Sequence, residues 1–225
     1  MNMPSAAALQ PHPRPPHRFI VVEGPIGVGK TTLASRLAET FNTEILLEHA
    51  AENPFLEKFY EDPRATALPT QLYFLFQRAR QLEKLRQTDL FRPAQVADFL
   101  MQKDELFARI TLNEHELDLY YQVYNRLALD APLPDLVIYL QAPVDVLLRR
   151  IYARGVEFEK RIDEDYLRRV ADAYIEFFYH YNASPLLIVN TTEFDIAGNV
   201  GDYDLLLHRI GDLSHGRHYF NPREL

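Results

Sequence analysis

Residues 21–34, VVEGPIGVGKTTLA, place glycines at 24, 27 and 29 and follow them with Lys30, Thr31 and Thr32, satisfying the pattern G-x-x-x-x-G-K-[ST] over Gly24 to Thr31. A phosphate chain needs several backbone N–H groups aimed at one anion, and glycines let the backbone curl closely enough to supply them. On that reading Gly24, Pro25, Ile26, Gly27, Val28, Gly29, Lys30, Thr31 and Thr32 hold the phosphates of a nucleotide. Lys30 reaches the outer phosphates and the Thr31 hydroxyl binds magnesium. RFIVVEG before the loop reads as a strand and TTLASRLAETF after it as a helix, the context that the pattern requires. The alternative is a glycine-rich turn that binds nothing.

Phosphoryl transfer also needs an acceptor, charge neutralisation and a group that takes or orients the acceptor's proton. Glu48 follows the apolar run EILL and suits that last task; its other reading is an acidic cap on the next turn. Asp98, in QVADF, suits the acid that helps hold magnesium, or is a solvated strand end. Gln71 and Arg78 stand seven residues apart with Leu75 between them, so a helix over LPTQLYFLFQRARQLEKL puts both on one face. There they either meet the hydrogen-bonding edge of a base or mark a polar border. Arg150 and Arg154, at i and i+4 in residues 147–167, suit phosphate charge in the transition state, or else a solvated face. Gly155 interrupts their helix and permits a mobile lid.

The elements that position these groups follow from periodicity. Strand-like runs recur at FIVVE, EILLE, AQVADF, DLVIYLQ and PLLIVN, separated by helical segments without internal repeats. The alternation predicts an α/β fold with a central parallel sheet covered by helices on both faces, ligands gathering at the carboxyl ends of the strands. Glu23, Glu48, Asp98 and Gln141 fall at that edge.

At 225 residues with 47% hydrophobic residues the chain is sized for one domain, over residues 19–225. Residues 1–18, rich in proline and histidine, read as a flexible tail; weak metal binding by its histidines is the alternative. A net charge of −8 argues against a surface that tracks nucleic acid, and the lack of cysteine excludes disulfides and cysteine-based zinc sites. No run reaches the length of a membrane helix, and the N-terminal residues lack the apolar segment of a signal peptide. A cytoplasmic protein without membrane or nucleic-acid partners is the expectation.

Several segments together, EGPIGVGKTTLA, EHAAENPFLEKFYED, QLYFLFQRARQL, ADFLMQKDELFA, PDLVIYLQAPVDVLLRRIYARG and EDYL, are similar to the deoxynucleoside kinases, most closely the bacterial deoxyadenosine/deoxyguanosine kinase branch. The resemblance runs from about residue 18 to 190. ENPFLEKFY followed by the Gln71-to-Arg78 helix is far more particular to that family than the phosphate loop is. It implies a P-loop kinase that passes the γ-phosphate of ATP, with magnesium, to the 5′-hydroxyl of a deoxynucleoside, a purine by the branch. Glu48 then matches the catalytic base, Tyr60 and Glu159 the pair on the sugar 3′-hydroxyl, and Gln71 and Arg78 the residues that read the base. Asp104, six residues after Asp98, joins them at the family's interval. Lys30, Arg150 and Arg154 complete the catalytic set, with Thr31 and Asp98 on the metal.

The chain departs from the family where Arg154, Gly155 and Val156 replace an R-G-R lid, leaving Lys160 and Arg161 as candidates to compensate. Phe99 and Leu100 follow Asp98 where many relatives continue Glu-Arg-Ser, which removes an arginine near the 5′-hydroxyl. TTEFDIAGNVGDYDLLLHRI resembles the bacterial loop around the adenine of ATP, and LSHGRHYFNPREL carries no assignment. The family generally pairs as dimers, and the aromatics of QLYFLFQ and ELDLYYQVYNRL suit a homodimer face, or burial in the chain's own core. Two other functions share part of this pattern: a nucleoside monophosphate kinase of the thymidylate kinase type, disfavoured because Glu48 would repel a second phosphate, and a nucleotide-binding regulatory protein without catalysis.

Overall fold

The computed structural model describes residues 15–86, 94–128, 131–194 and 199–221. The first strand, β1 (Phe19–Glu23), is buried along its whole length. Phe19 and Val21 enter one hydrophobic core while Ile20 and Val22 enter another on the opposite face. Burial on both faces explains why FIVVE lacks the polar alternation of a half-exposed strand.

The other strands are β2 (Glu44–Leu46), β3 (Gln95–Ala97), β4 (Leu136–Gln141), β5 (Leu186–Asn190) and β6 (Arg217–Phe220), in the spatial order β2-β3-β1-β4-β5-β6 with every pairing parallel. The chain order reverses at β1, which lies between β3 and β4, and open sheets of this kind bind ligands at such a reversal. One face is covered by α1 (Lys30–Phe41), α6 (Val144–Arg154) and α8 (Val200–Gly211). The other is covered by α2 (Leu56–Glu61), α3 (Pro63–Arg86), α4 (Asp104–Thr111), α5 (Glu114–Leu127) and much of α7 (Glu164–His180).

Two local outcomes shape this edge of the sheet: one strand ends earlier than its apolar run suggests, and the cationic segment is interrupted at Gly155 as expected. EILLE leaves the sheet at Leu46, because Asp98 accepts the Glu48 N–H at 2.6 Å and Gln81 donates to the Leu47 carbonyl at 2.9 Å. Side chains take the bonds that a longer strand would need. The cationic segment 147–167 divides at Gly155, whose φ of 73° ends α6 in the left-handed conformation that a side chain disfavours. A short 3₁₀ turn over Glu157–Arg161 follows, and Asp163 caps α7 by accepting from the Tyr166 N–H at 3.1 Å.

The unassigned LSHGRHYFNPREL contributes β6, an edge strand on β5. The Arg217 guanidinium donates to the carbonyls of Phe178, Tyr179 and Tyr181, filling acceptors that the end of α7 leaves open. Of the N-terminal tail only residues 15–18 are described; 195–198, within the expected adenine loop, lie outside the described residues.

Candidate active site

The phosphate loop joins β1 to α1 at the carboxyl edge of the sheet. A Cβ on Gly24 would stand 2.3 Å from the Leu140 carbonyl oxygen of β4, so close approach to the neighbouring strand demands glycine there. The Lys30 ammonium donates to the Gly24 and Pro25 carbonyls at 2.8 and 3.2 Å, which folds it back across its own loop. Burial, then the nearby Lys103 charge, lowers its pKa.

Asp98 joins the loop to the residues beyond β2. One carboxylate oxygen accepts from the Thr31 hydroxyl at 2.6 Å and the other from the Glu48 N–H. A hydroxyl and a carboxylate side by side beside a phosphate loop are hard oxygen donors of the kind that suits magnesium.

Two spaces open from this edge. A cleft of about 610 Å³ runs along Gly27–Thr32, bounded by Arg150, Arg154 and Thr192–Phe194. A smaller, more enclosed cavity of about 130 Å³ lies between the β2 segment, α2, α3 and the start of α4, and its walls include Glu48, Tyr60, Gln71, Arg78, Asp98 and Glu159. Gly27, Lys30, Thr31 and Arg154 border both.

Within the cavity three cations act on the Glu48 carboxylate. Burial would push its carboxyl up, but Arg78, Lys103 and Lys30 outweigh burial and hold it at about 2. Arg78 donates to Glu48 Oε1, and its Nη1 lies 2.7 Å from Asp104 Oδ1. Asp104 is fully buried and absent from the cavity wall, so it stands behind Arg78 as its counter-ion. Gln71 and Arg78 share the inner face of α3 with fully buried Leu75 between them. Tyr60 stacks on Phe158 with ring centroids 6.2 Å apart, and burial raises its phenol well above the usual range, leaving it a neutral hydroxyl.

The cations after β4 divide between inner and outer tasks. Arg150 donates to Thr191 Oγ1 at 3.0 Å, to the Thr191 carbonyl at 2.5 Å and to the Val28 carbonyl at 3.4 Å, tying the end of β5 to the phosphate loop. Arg154 pairs with Glu159 at 2.5 Å where both line the cavity. Lys160 and Arg161 turn to the surface, onto Glu157 and onto Glu57 and Glu61 of α2. Neither lines the phosphate cleft where Val156 leaves a lid arginine missing.

Sequence reasoning missed Lys103, which is 1% exposed and borders the same cavity. Its ammonium lies 3.4 Å from Glu23 Oε1 and 3.7 Å from Glu48 Oε2. Little in the sequence signals it, because Lys103 stands in the polar run Gln102–Glu105, where a lysine reads as a surface residue. Phe74, Phe107 and Tyr166 also line the cavity, as apolar walls that carried no distinguishing pattern.

Comparison with known proteins gives the family and the fold. A family model described as deoxynucleoside kinase matches residues 20–213. The chain is 35% identical over 200 residues to a deoxyguanosine kinase of Bacillus subtilis (strain 168), covering 87% of this chain and 97% of the relative. It is 30% identical to a deoxyadenosine kinase of Lactobacillus acidophilus, covering 87% and 99%. Among solved structures, a deoxyadenosine kinase from M. mycoides with products dCMP and a flexible dCDP bound superposes with a TM-score of 0.75 at 25% identity, over 87% of this chain and 100% of that one. Phosphate loop, parallel sheet, neighbouring cavity and these matches lead to one conclusion: the chain belongs to the deoxynucleoside kinase family.

Proposed function

We propose that the protein transfers the γ-phosphate of ATP to the 5′-hydroxyl of a purine deoxynucleoside. The observation that carries this reading is that the open cleft and the enclosed cavity meet at Gly27, Lys30, Thr31 and Arg154, with Glu48 on the cavity side of that junction. A donor in the cleft and an acceptor in the cavity would bring phosphate and hydroxyl together where positioning and charge do most of the work. Purine preference draws support from the deoxyguanosine and deoxyadenosine kinases among the relatives.

On this reading Glu48 takes the proton of the 5′-hydroxyl, Gln71 and Arg78 read the base with Asp104 holding Arg78, and Tyr60 and Glu159 hold the sugar. Residues 24–32 cradle the phosphates, while Lys30, Arg150 and Arg154 neutralise them. Thr31 and Asp98 would hold magnesium, which when bound adds positive charge to the phosphates.

Phe76 of α3 and Leu119 of α5 are 43% and 46% exposed, and packing of these two helices against a second copy would bury them. A cytoplasmic homodimer completes the proposal; among the described residues no helix is long and apolar enough to cross a membrane.

The test is a panel: purified protein with magnesium and ATP against all four deoxynucleosides and their monophosphates, beside Glu48→Gln. Purine deoxynucleosides are expected to be phosphorylated, with the variant sharply impaired. Turnover of monophosphates alone, or ATP binding with no product, would overturn the reading.

A further inference from the structure

Lys103 ends the short turn Met101–Lys103 that leads into α4, and it is almost fully buried. A buried ammonium is costly unless it is paired, and its first partner, Glu23, is itself rigidly held. Glu23 Oε2 accepts from the Gly24 N–H at 3.0 Å and the Tyr174 hydroxyl at 2.9 Å, and Oε1 accepts from the Leu100 N–H at 2.7 Å. These bonds tie one carboxylate to the first residue of the phosphate loop, to α7 and to the backbone that carries Lys103. The ammonium is therefore fixed relative to the loop.

Charge balance with Glu23 would account for burial, but the ammonium also faces the cavity and reaches a second carboxylate. Arg78 takes Glu48 Oε1, and Lys103 approaches Oε2. The two cations come from different elements. Arg78 is carried by α3, two turns from Gln71 on the same face, and its own buried counter-ion is Asp104. Lys103 answers to Glu23 and hence to the phosphate loop.

We propose that Lys103 is a positioning residue for phosphoryl transfer: clamped to Glu23, it holds the Glu48 carboxylate in register with the phosphate loop while Arg78 serves the base. This rests on the deoxynucleoside kinase reading above, in which Glu48 takes the acceptor's proton. Misplacement of a reacting group by about 1 Å costs on the order of 100-fold in rate, so the effect belongs in kcat.

The experiment compares the unaltered enzyme with Lys103→Met, Lys103→Arg and the double variant Glu23→Gln/Lys103→Met, measuring kcat and nucleoside KM separately and checking folding by circular dichroism. Lys103→Met is expected to lose about 100-fold in kcat with KM little changed, and Lys103→Arg to recover a large part of it. The double variant removes both buried charges, so it tests the position even where Lys103→Met alone fails to fold. A folded double variant that remains slow supports the proposal. Near-normal kcat in either methionine variant overturns it and leaves Lys103 as a counter-ion of Glu23. Absence of nucleoside turnover by the unaltered enzyme overturns the functional reading, and this inference with it.

Discussion

The guanidinium of Arg78 on α3 pairs with the carboxylate of Glu48 beyond β2, so the proposed base-reading residue and the proposed proton acceptor share one ion pair. Arg78 is also the counter-ion of fully buried Asp104. Removing one member of a buried pair strands the other, at a cost of about 3–5 kcal/mol. Arg78→Met is therefore expected to lower unfolding free energy in urea by about that amount. Its kcat should fall along with a rise in nucleoside KM, whereas a residue that touched only the base would change KM alone.

Glu48→Gln keeps the shape of the side chain and removes its ability to take a proton. General-base contributions are typically about 10²- to 10⁴-fold, and kcat should fall within that range. Binding of a non-hydrolysable ATP analogue, followed by calorimetry, should be preserved, because the carboxylate's ion pairs run to Arg78 and Lys103 while the Lys30 ammonium is held by the Gly24 and Pro25 carbonyls.

The same residue sets a pH dependence of stability. Glu48 titrates at about 2 in the folded chain against an ordinary value of 4.5, so its folded pKa lies below its unfolded one. Its stabilisation is complete above the unfolded value and is lost as pH falls from there toward 2. Melting temperatures recorded from pH 6 to pH 3 should fall more steeply for the unaltered protein than for Glu48→Gln. Parallel curves would contradict the assignment.

Gly24 meets β4 so closely that a methyl group would strike the Leu140 carbonyl, and its φ of 149° is unfavourable for side chains. Gly24→Ala should cost at least about 1–3 kcal/mol and weaken ATP binding, because the loop must shift to relieve the contact. A variant with native melting temperature and ATP affinity would show that the loop yields.

Charge placed on the exposed aromatic of α3 tests assembly. Phe76→Glu should convert a dimer to a monomer in sedimentation velocity without lowering the melting temperature of the isolated chain, since Phe76 is 43% exposed. A species unchanged in mass would move the proposed interface elsewhere.

How much was legible beforehand depends on the range of the interactions. The phosphate-loop pattern lies within eight consecutive residues, and its geometry is a property of local backbone, so spacing alone conveys it. The runs that became β1, β4 and β5 are apolar because they are buried on both faces, and helical spacing is enough to set Gln71 and Arg78 on one side of α3. Resemblance to a family added Tyr60, Asp104 and Glu159 as candidates, residues whose local sequence is unremarkable.

What tertiary structure alone decided were pairings between distant segments. Whether Asp104 faces a cavity or backs Arg78, whether Arg161 turns inward or onto Glu57 and Glu61, and whether RHYF forms a strand each depend on a partner tens of residues away. Lys103 is the clearest case. A lysine is ordinarily a surface residue, and it becomes a buried cation between Glu23 and Glu48 only because β1, the β2 segment and the turn before α4 converge. Composition and spacing carried the elements and the loop; the placement of charge within the site followed from which carboxylates the folded sheet brought within about 4 Å of each cation, the distance at which Coulomb attraction between buried groups can offset the loss of water.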